Sequence, residues 1–184
     1  IPGAADVEPA RAAAGFRRAV ELNLLTMDAG ELAWRHGLIR QVVWSTMLPP
    51  ERRALARAIV DQLVARDPDE GAVSAAELLI TAGEPDRAAE LWLDQARAAM
   101  AVGGLRTAAE LLANAERTGR RRVGVTTTRV ALLVLDGRAT DALELGRPVL
   151  AEARGEEHAE LCLRLARAAV EAGRWDEVGE LVAR

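Results

Sequence analysis

The sequence predicts an all-α chain of stacked helical hairpins, preceded by a short segment holding one β-hairpin. Three observations predict it. Ala, Leu, Arg and Glu dominate the 184 residues and are strong helix formers. Apolar residues recur at helical spacing along most of the chain. One glycine-led phrase, G-x4-[AV]-x-E-L, occurs four times.

Taken in order, residues 9–22 read as a helix with Pro9 in its first turn. Val7, Phe16, Ala19, Val20 and Leu22 are its expected buried side. The runs ELNLLTM and ELAWRH flank Asp28-Ala29-Gly30 and predict a hairpin near 22–36. A helix over 37–47 places Leu38, Ile39, Val42, Val43, Thr46 and Met47 at helical spacing. Pro49 and Pro50 break it and open a helix over 51–66, with Ala54, Leu55, Ala58, Ile59 and Leu63 on one stripe. Asp67-Pro68-Asp69 reads as a loop. Further helices are expected near 71–82, 85–101, 104–117, 120–136, 139–153, 156–172 and from 175.

The phrase sets the punctuation. It begins at Gly83, Gly103, Gly137 and Gly173, at intervals of 20, 34 and 36 residues. Glycine permits the turn that ends one helix. The small residue five positions on (Ala88, Ala108, Ala142 or Val178) lets the next helix pack closely, and the leucine three further on shares its face. Each hairpin leaves apolar surface that only the next can cover, so the units stack.

The 34-residue interval is the period of the tetratricopeptide repeat, and the residues resemble that superfamily. Residues 89–122 fit best, with Trp92, Ala96, Ala108, Leu112 and Ala115 at consensus positions. Residues 123–156 fit less well, since Arg129 replaces an apolar residue and Gly146 an aromatic. Residues 159–184 fit moderately. The resemblance implies a right-handed array whose first helices line a concave face. In that register Glu90, Leu93, Arg97, Thr127, Ala131, Glu160, Leu163 and Arg167 face the groove. Arg97 and Arg167 are the stronger candidates for contact with a protein or small-molecule effector, because a guanidinium grips carboxylate or phosphate bidentately.

The order of segments carries a second resemblance. Hairpin, LAWRHGLIRQVVW, LPPERRALARAIVDQL and the repeats follow one another as in the middle of the large ATP-binding regulators of the LuxR family, a group of STAND-class signal-transduction ATPases. The likeness covers about residues 8–118 in order and spacing. It implies three parts: residues 1–48 as the end of a winged-helix domain, 49–82 as a connecting helical pair, and 83–184 as truncated repeats. Arg35-His36-Gly37-Leu38 aligns with the Met-His-Asp-Leu element of those winged helices, whose histidine reaches the β-phosphate of ADP. His36 is therefore the implied phosphate sensor of a full-length parent. Gly37 departs from the aspartate, so that residue's role does not transfer. ATP or ADP is implied for the parent alone. This chain has no lysine and hence no G-x4-GK[ST] phosphate loop, and no cofactor is expected here.

Composition narrows the functions. All 24 basic residues are arginine and the net charge is −4, so the chain as a whole is not an electrostatic nucleic-acid binder. DNA contact is expected only through a domain outside this chain. No apolar run is long enough to span a membrane, no signal peptide is visible, and a cytoplasmic setting is expected. The chain starts at Ile1 and ends on an amphipathic run, and it reads as a piece of a longer protein.

Catalysis has little to stand on. His36 and His158 lie in separate segments, and no HExxH, CxxC or GxSxG motif occurs. Cys162, the single cysteine, sits in the apolar run LCLRLA and reads as a buried structural thiol. Glu156 and Glu157 suit a helix start. Trp34, Trp44, Trp92 and Trp175 read as core or edge packing residues. The basic stretch at 117–122 (RTGRRR), with Arg129, reads as a solvated turn between hairpins.

The expected function is binding without chemistry: the regulatory middle of an ATP-dependent LuxR-type transcription regulator. Its rivals are a stand-alone tetratricopeptide adaptor and a regulatory segment of a multidomain enzyme.

Overall fold

The computed structural model describes residues 8–28, 30–66 and 70–182. Val7, Ala29 and the 67–69 loop lie outside the described residues. Among the described residues ten α-helices and one two-stranded sheet follow in order: α1 (Pro9–Glu21), β1 (Leu25–Asp28), β2 (Glu31–Trp34), α2 (Gly37–Thr46), α3 (Pro49–Arg66), α4 (Glu70–Ala82), α5 (Pro85–Ala101), α6 (Leu105–Arg117), α7 (Arg122–Leu135), α8 (Ala139–Gly146), α9 (Gly155–Glu171) and α10 (Trp175–Val182).

The hairpin forms where alternation and turn residues place it. β1 and β2 pair antiparallel, with Leu25 opposite Trp34 and Asp28 opposite Glu31. Prolines start helices because the first turn has no use for their missing N–H. α3 begins at Pro49 rather than 51 for this reason, and the Glu51 carboxylate accepts the Leu48 N–H at 2.8 Å. The four phrase glycines adopt φ between 69° and 79°, the left-handed conformation that ends a helix with least strain.

Consecutive helices from α3 to α10 pack side by side, and α5 also touches α7 while α7 touches α9. Small residues make this approach close. Ala75, Ala76, Ala88, Ala96, Ala108 and Ala115 are fully buried in one core with Val60, Leu79, Leu112 and Trp92. That core runs through α3 and α4 as well as α5–α7. A second core joins α7 to α10 through Val130, Leu143, Leu161 and Leu165. Helix α7 serves both, with Val125 and Leu132 turned to the first and Val130 to the second.

Four expectations need correction. The helix expected over 139–153 stops at Gly146 and tightens into a 3-10 turn over Arg147–Ala151. Pro148 has no N–H to give the Glu144 carbonyl, and its ring crowds that carbonyl. The phrase leucine of this repeat, Leu145, is exposed. The buried stripe of α8 is Ala139, Ala142, Leu143 and Gly146 instead. Third, the apolar face of α2 meets no core: Leu38 is 74% and Val42 60% exposed, and α2 has no buried residue. Phe16 and Leu22 of the first segment are exposed too. Periodicity marks which face is apolar; it does not say that a partner covers it. Fourth, among the tryptophans Trp92 is buried, but Trp175 is 67% exposed and packs little.

Where residues depart from the repeat consensus, neighbours compensate. Gly146 is buried at the position where an aromatic is usual, and Leu165 of α9 fills that space. Arg129 is directed to Glu116 of α6, with Nε at 3.1 Å and Nη2 at 2.8 Å from Oε1. Cys162 is buried as expected, its Sγ 3.5 Å from His158 Nε2 one turn earlier.

Candidate functional site

Helices α5, α7 and α9 are the first helices of successive hairpins, and together they line a groove. At the end near their N-termini lies a cavity of about 270 Å³. Glu90 and Asp94 of α5 meet Glu156, Glu157 and Glu160 of α9 across it. Arg97 and Arg121 are its two cations, against five carboxylates. Arg121 pairs with Glu90 at 3.1 Å and Arg97 with Asp94 at 3.2 Å. Glu156 and Glu157 have no ion-pair partner among the described residues.

The groove continues past Arg97, which lines both halves. The second cavity, about 390 Å³, has apolar walls of Met100, Ala131, Val134 and Leu135. Arg97, Arg164 and Arg167 rim it, and no carboxylate lines it. Arg164 leans back to Glu160 at 3.5 Å, whereas Arg167 has no partner among the described residues.

The structure therefore brings Glu90, Leu93, Arg97, Thr127 and Glu160 to one cavity, and Ala131 and Arg167 to the adjoining one. Thr127 is buried, and its hydroxyl donates to the Val123 carbonyl at 2.8 Å, so it forms floor rather than contact. Leu163 is 67% exposed and lines neither cavity. Sequence reasoning did not pick out Asp94, Arg164, Met100 or Leu135. Asp94 and Arg164 lie four residues after Glu90 and Glu160, so one further helical turn in the same register reaches them.

His36 sits apart from the groove. It occupies the residue before α2, exposed, and its side chain makes no capping hydrogen bond. A further cavity, about 1040 Å³, is an open trough between α2 and α4, lined by Leu38, Trp44 and Leu78 among others. Arg40 and Glu77 are its charged residues, and Gln41, Ser74 and Thr81 add neutral polar groups. The basic stretch is spent on ion pairs: Arg120 lies 4.0 Å from Asp86, Arg121 pairs with Glu90, and Arg122 lies 3.1 Å from Glu152.

One carboxyl departs from its usual titration. Hydrogen bonds from Arg87, at 2.6 Å, and from Arg57 hold Glu84 below the ordinary glutamate range. Arg57 belongs to α3 and Glu84 to the α4–α5 turn, so the pair ties two hairpins together. Among the described residues no group of three or more His, Cys, Asp or Glu is placed to hold a metal. No helix among them is long and apolar enough to cross a membrane.

Comparison with known proteins supports the repeat fold. A family model for the tetratricopeptide repeat matches residues 133–184. The array is tetratricopeptide-like. The match falls on the C-terminal repeats, not on residues 89–122, where the consensus residues are most complete. A crystal structure of kinesin light chain nearly identical TPR-like repeats from Podosopora anserina aligns with a TM-score of 0.50. It is 18% identical, and the alignment covers 94% of this chain and 86% of that one. At that identity the likeness is one of fold. No curated protein sequence matches the chain.

Proposed function

We propose that this chain is a binding module that takes a segment of a protein partner into the groove of α5, α7 and α9 and performs no chemistry on it. The observation that carries the reading is the groove itself: three consecutive first helices contribute side chains to two adjoining cavities that share Arg97. Repeats of this architecture expose such a surface because each hairpin buries only its flanks against its neighbours. The test is selection from a random dodecapeptide display library on the purified chain, followed by binding of the enriched peptides to a Leu135→Asp variant. Leu135 is half-exposed, so this change alters the groove and spares the core. Enriched peptides should lose at least tenfold in affinity. Equal binding to the variant, or no enrichment, would sink the reading.

A second reading sets this module in a longer protein, an ATP-dependent LuxR-type regulator whose repeats sense a partner and bias a resting state. It is supported by the hairpin that runs into α2 with His36 at the junction, exposed and uncommitted. His36 would there contact the phosphate of bound ADP. In the full-length protein His36→Ala should then speed ADP release about ten- to a hundredfold, the worth of one charge-assisted hydrogen bond. Unchanged release would leave the stand-alone adaptor, which the likeness to TPR-like repeats over nearly the whole chain also supports.

A further inference from the structure

The groove is polarised. Toward the N-termini of α5, α7 and α9, five carboxylates outnumber two guanidinium groups. Toward their C-termini the cavity is apolar and its only charges are three arginines. Helix dipoles explain part of this, since Glu156 and Glu157 lie in the first turn of α9. They do not explain the arginines, because α5, α7 and α9 carry no basic residue in their last turns. Among the described residues Arg167 has no ion-pair partner, whereas the other groove arginines, Arg97, Arg121 and Arg164, each have one. A lone guanidinium beside an apolar cleft has charge to offer a ligand at little cost in existing pairs.

We propose that the groove recognises an extended peptide segment with a fixed charge order: Lys or Arg, then an aliphatic side chain, then Asp or Glu. This rests on the peptide-binding reading given above and adds the partner's chemistry to it. The basic residue sits among Glu156, Glu157 and their neighbours, the aliphatic one between Met100, Val134 and Leu135, and the acidic one against Arg164 and Arg167. Spacing follows from the helix. Glu157 and Arg167 are ten residues apart on α9, which is ~15 Å at 1.5 Å per residue, or about four to five residues of extended peptide.

Fluorescein-labelled dodecapeptides of Ser, Gly and Ala test this. Each carries two central leucines, and charged residues lie five positions apart across them. One set is Arg/Asp in either chain direction, one Arg/Arg and one Asp/Asp, each read by anisotropy at low salt, where exposed charges are least screened. One Arg/Asp order should bind at least tenfold more tightly than both uniform peptides. In the Arg164→Glu, Arg167→Glu double variant the preference should move to Arg/Arg. A uniform peptide that binds as well as or better than both mixed ones, and still loses tenfold on Leu135→Asp, would overturn the charge order while leaving the groove as the binding site. Peptide binding that ignores Leu135→Asp would instead remove the groove from both proposals. Self-association that Arg167→Glu dissolves, with no peptide bound, would assign the surface to a second copy of this chain and overturn this inference.

Discussion

Gly146→Ala is the substitution whose outcome most directly probes the packing. The backbone at Gly146 has φ −83° and ψ −31°, which any residue adopts, so conformational strain plays no part. Space decides. A Cβ added there would lie 2.6 Å from Leu165 Cδ2, 3.0 Å from Val130 Cγ2 and 3.3 Å from Leu165 Cγ. Unstrained carbon pairs sit about 3.5–4.0 Å apart. Leu165 and Val130 are both fully buried, so neither branch can swing into solvent. Either Leu165 leaves its rotamer or α8 and α9 separate, at a cost of about 1–3 kcal/mol. Replacing a helical glycine recovers at most about 1 kcal/mol, and less at a helix end. The expected net is a loss of about 1–2 kcal/mol, or roughly 2–4 °C per kcal/mol in melting temperature for a chain of this size. Gly124→Ala is the paired control, because its Cβ would meet Leu93 Cδ1 at an ordinary 3.5 Å within α7. It should stabilise by about 0.5–1 kcal/mol. Urea unfolding followed by circular dichroism reads both. Leu165→Val in the Gly146→Ala background removes the offending branch and should give back part of the loss, a coupling the double-mutant cycle isolates. Gly146→Ala as stable as the parent, or no coupling to Leu165→Val, would refute the close approach of α8 and α9.

Other outcomes follow from the same contacts. Ala108 is fully buried in the first core, so Ala108→Leu should overpack it and cost about 1–3 kcal/mol in urea unfolding; an unchanged midpoint would contradict the crossing assigned there. Glu84 titrates below its unfolded value, so its contribution is present above that value and is lost as pH falls through the lower folded value. The melting temperature of Glu84→Gln should therefore trail the parent at neutral pH and converge with it under acid, and a gap that stays constant would count against the Arg57 and Arg87 contacts. The ion pairs of Arg120, Arg121 and Arg122 are exposed, so changing all three to Ala should move the melting temperature little, and the small difference should vanish in high salt.

Most of the array was legible because its punctuation is chemical. A left-handed glycine followed by a small residue at a fixed interval has few other uses, and the helix starts after Gly83, Gly103, Gly137 and Gly173 fall within one residue of expectation. The groove register was legible for a related reason: residues at one helical face converge when successive first helices touch. What escaped was set by neighbours. Pro148 announced the end of α8 in the sequence, yet the stripe ending at Gly146 depended on Leu165 reaching across from α9. The bare face of α2 has the same periodicity as a buried one, and only the arrangement in space tells them apart. Thr127 faces the groove by register, but its hydroxyl is already committed to the Val123 carbonyl.

Repetition also explains why a chain of net charge −4 presents two chemistries side by side. Alanine at the crossings lets α5, α7 and α9 lie in contact, so residues at equal heights become neighbours. A charge preference on one helix then adds to that of the next instead of averaging away. Glu90 and Asp94 of α5 join Glu156, Glu157 and Glu160 of α9 at one end, and Arg97 joins Arg164 and Arg167 at the other. α7 between them supplies apolar wall on the arginine side through Ala131, Val134 and Leu135, and the ion pairs Arg97–Asp94 and Arg164–Glu160 mark where the two ends meet. The groove's polarity is thus a property of the stacking, and any change that slides α9 along α7 by one turn, about 5.4 Å, would bring Arg164 level with Glu90 and Asp94 and erase it.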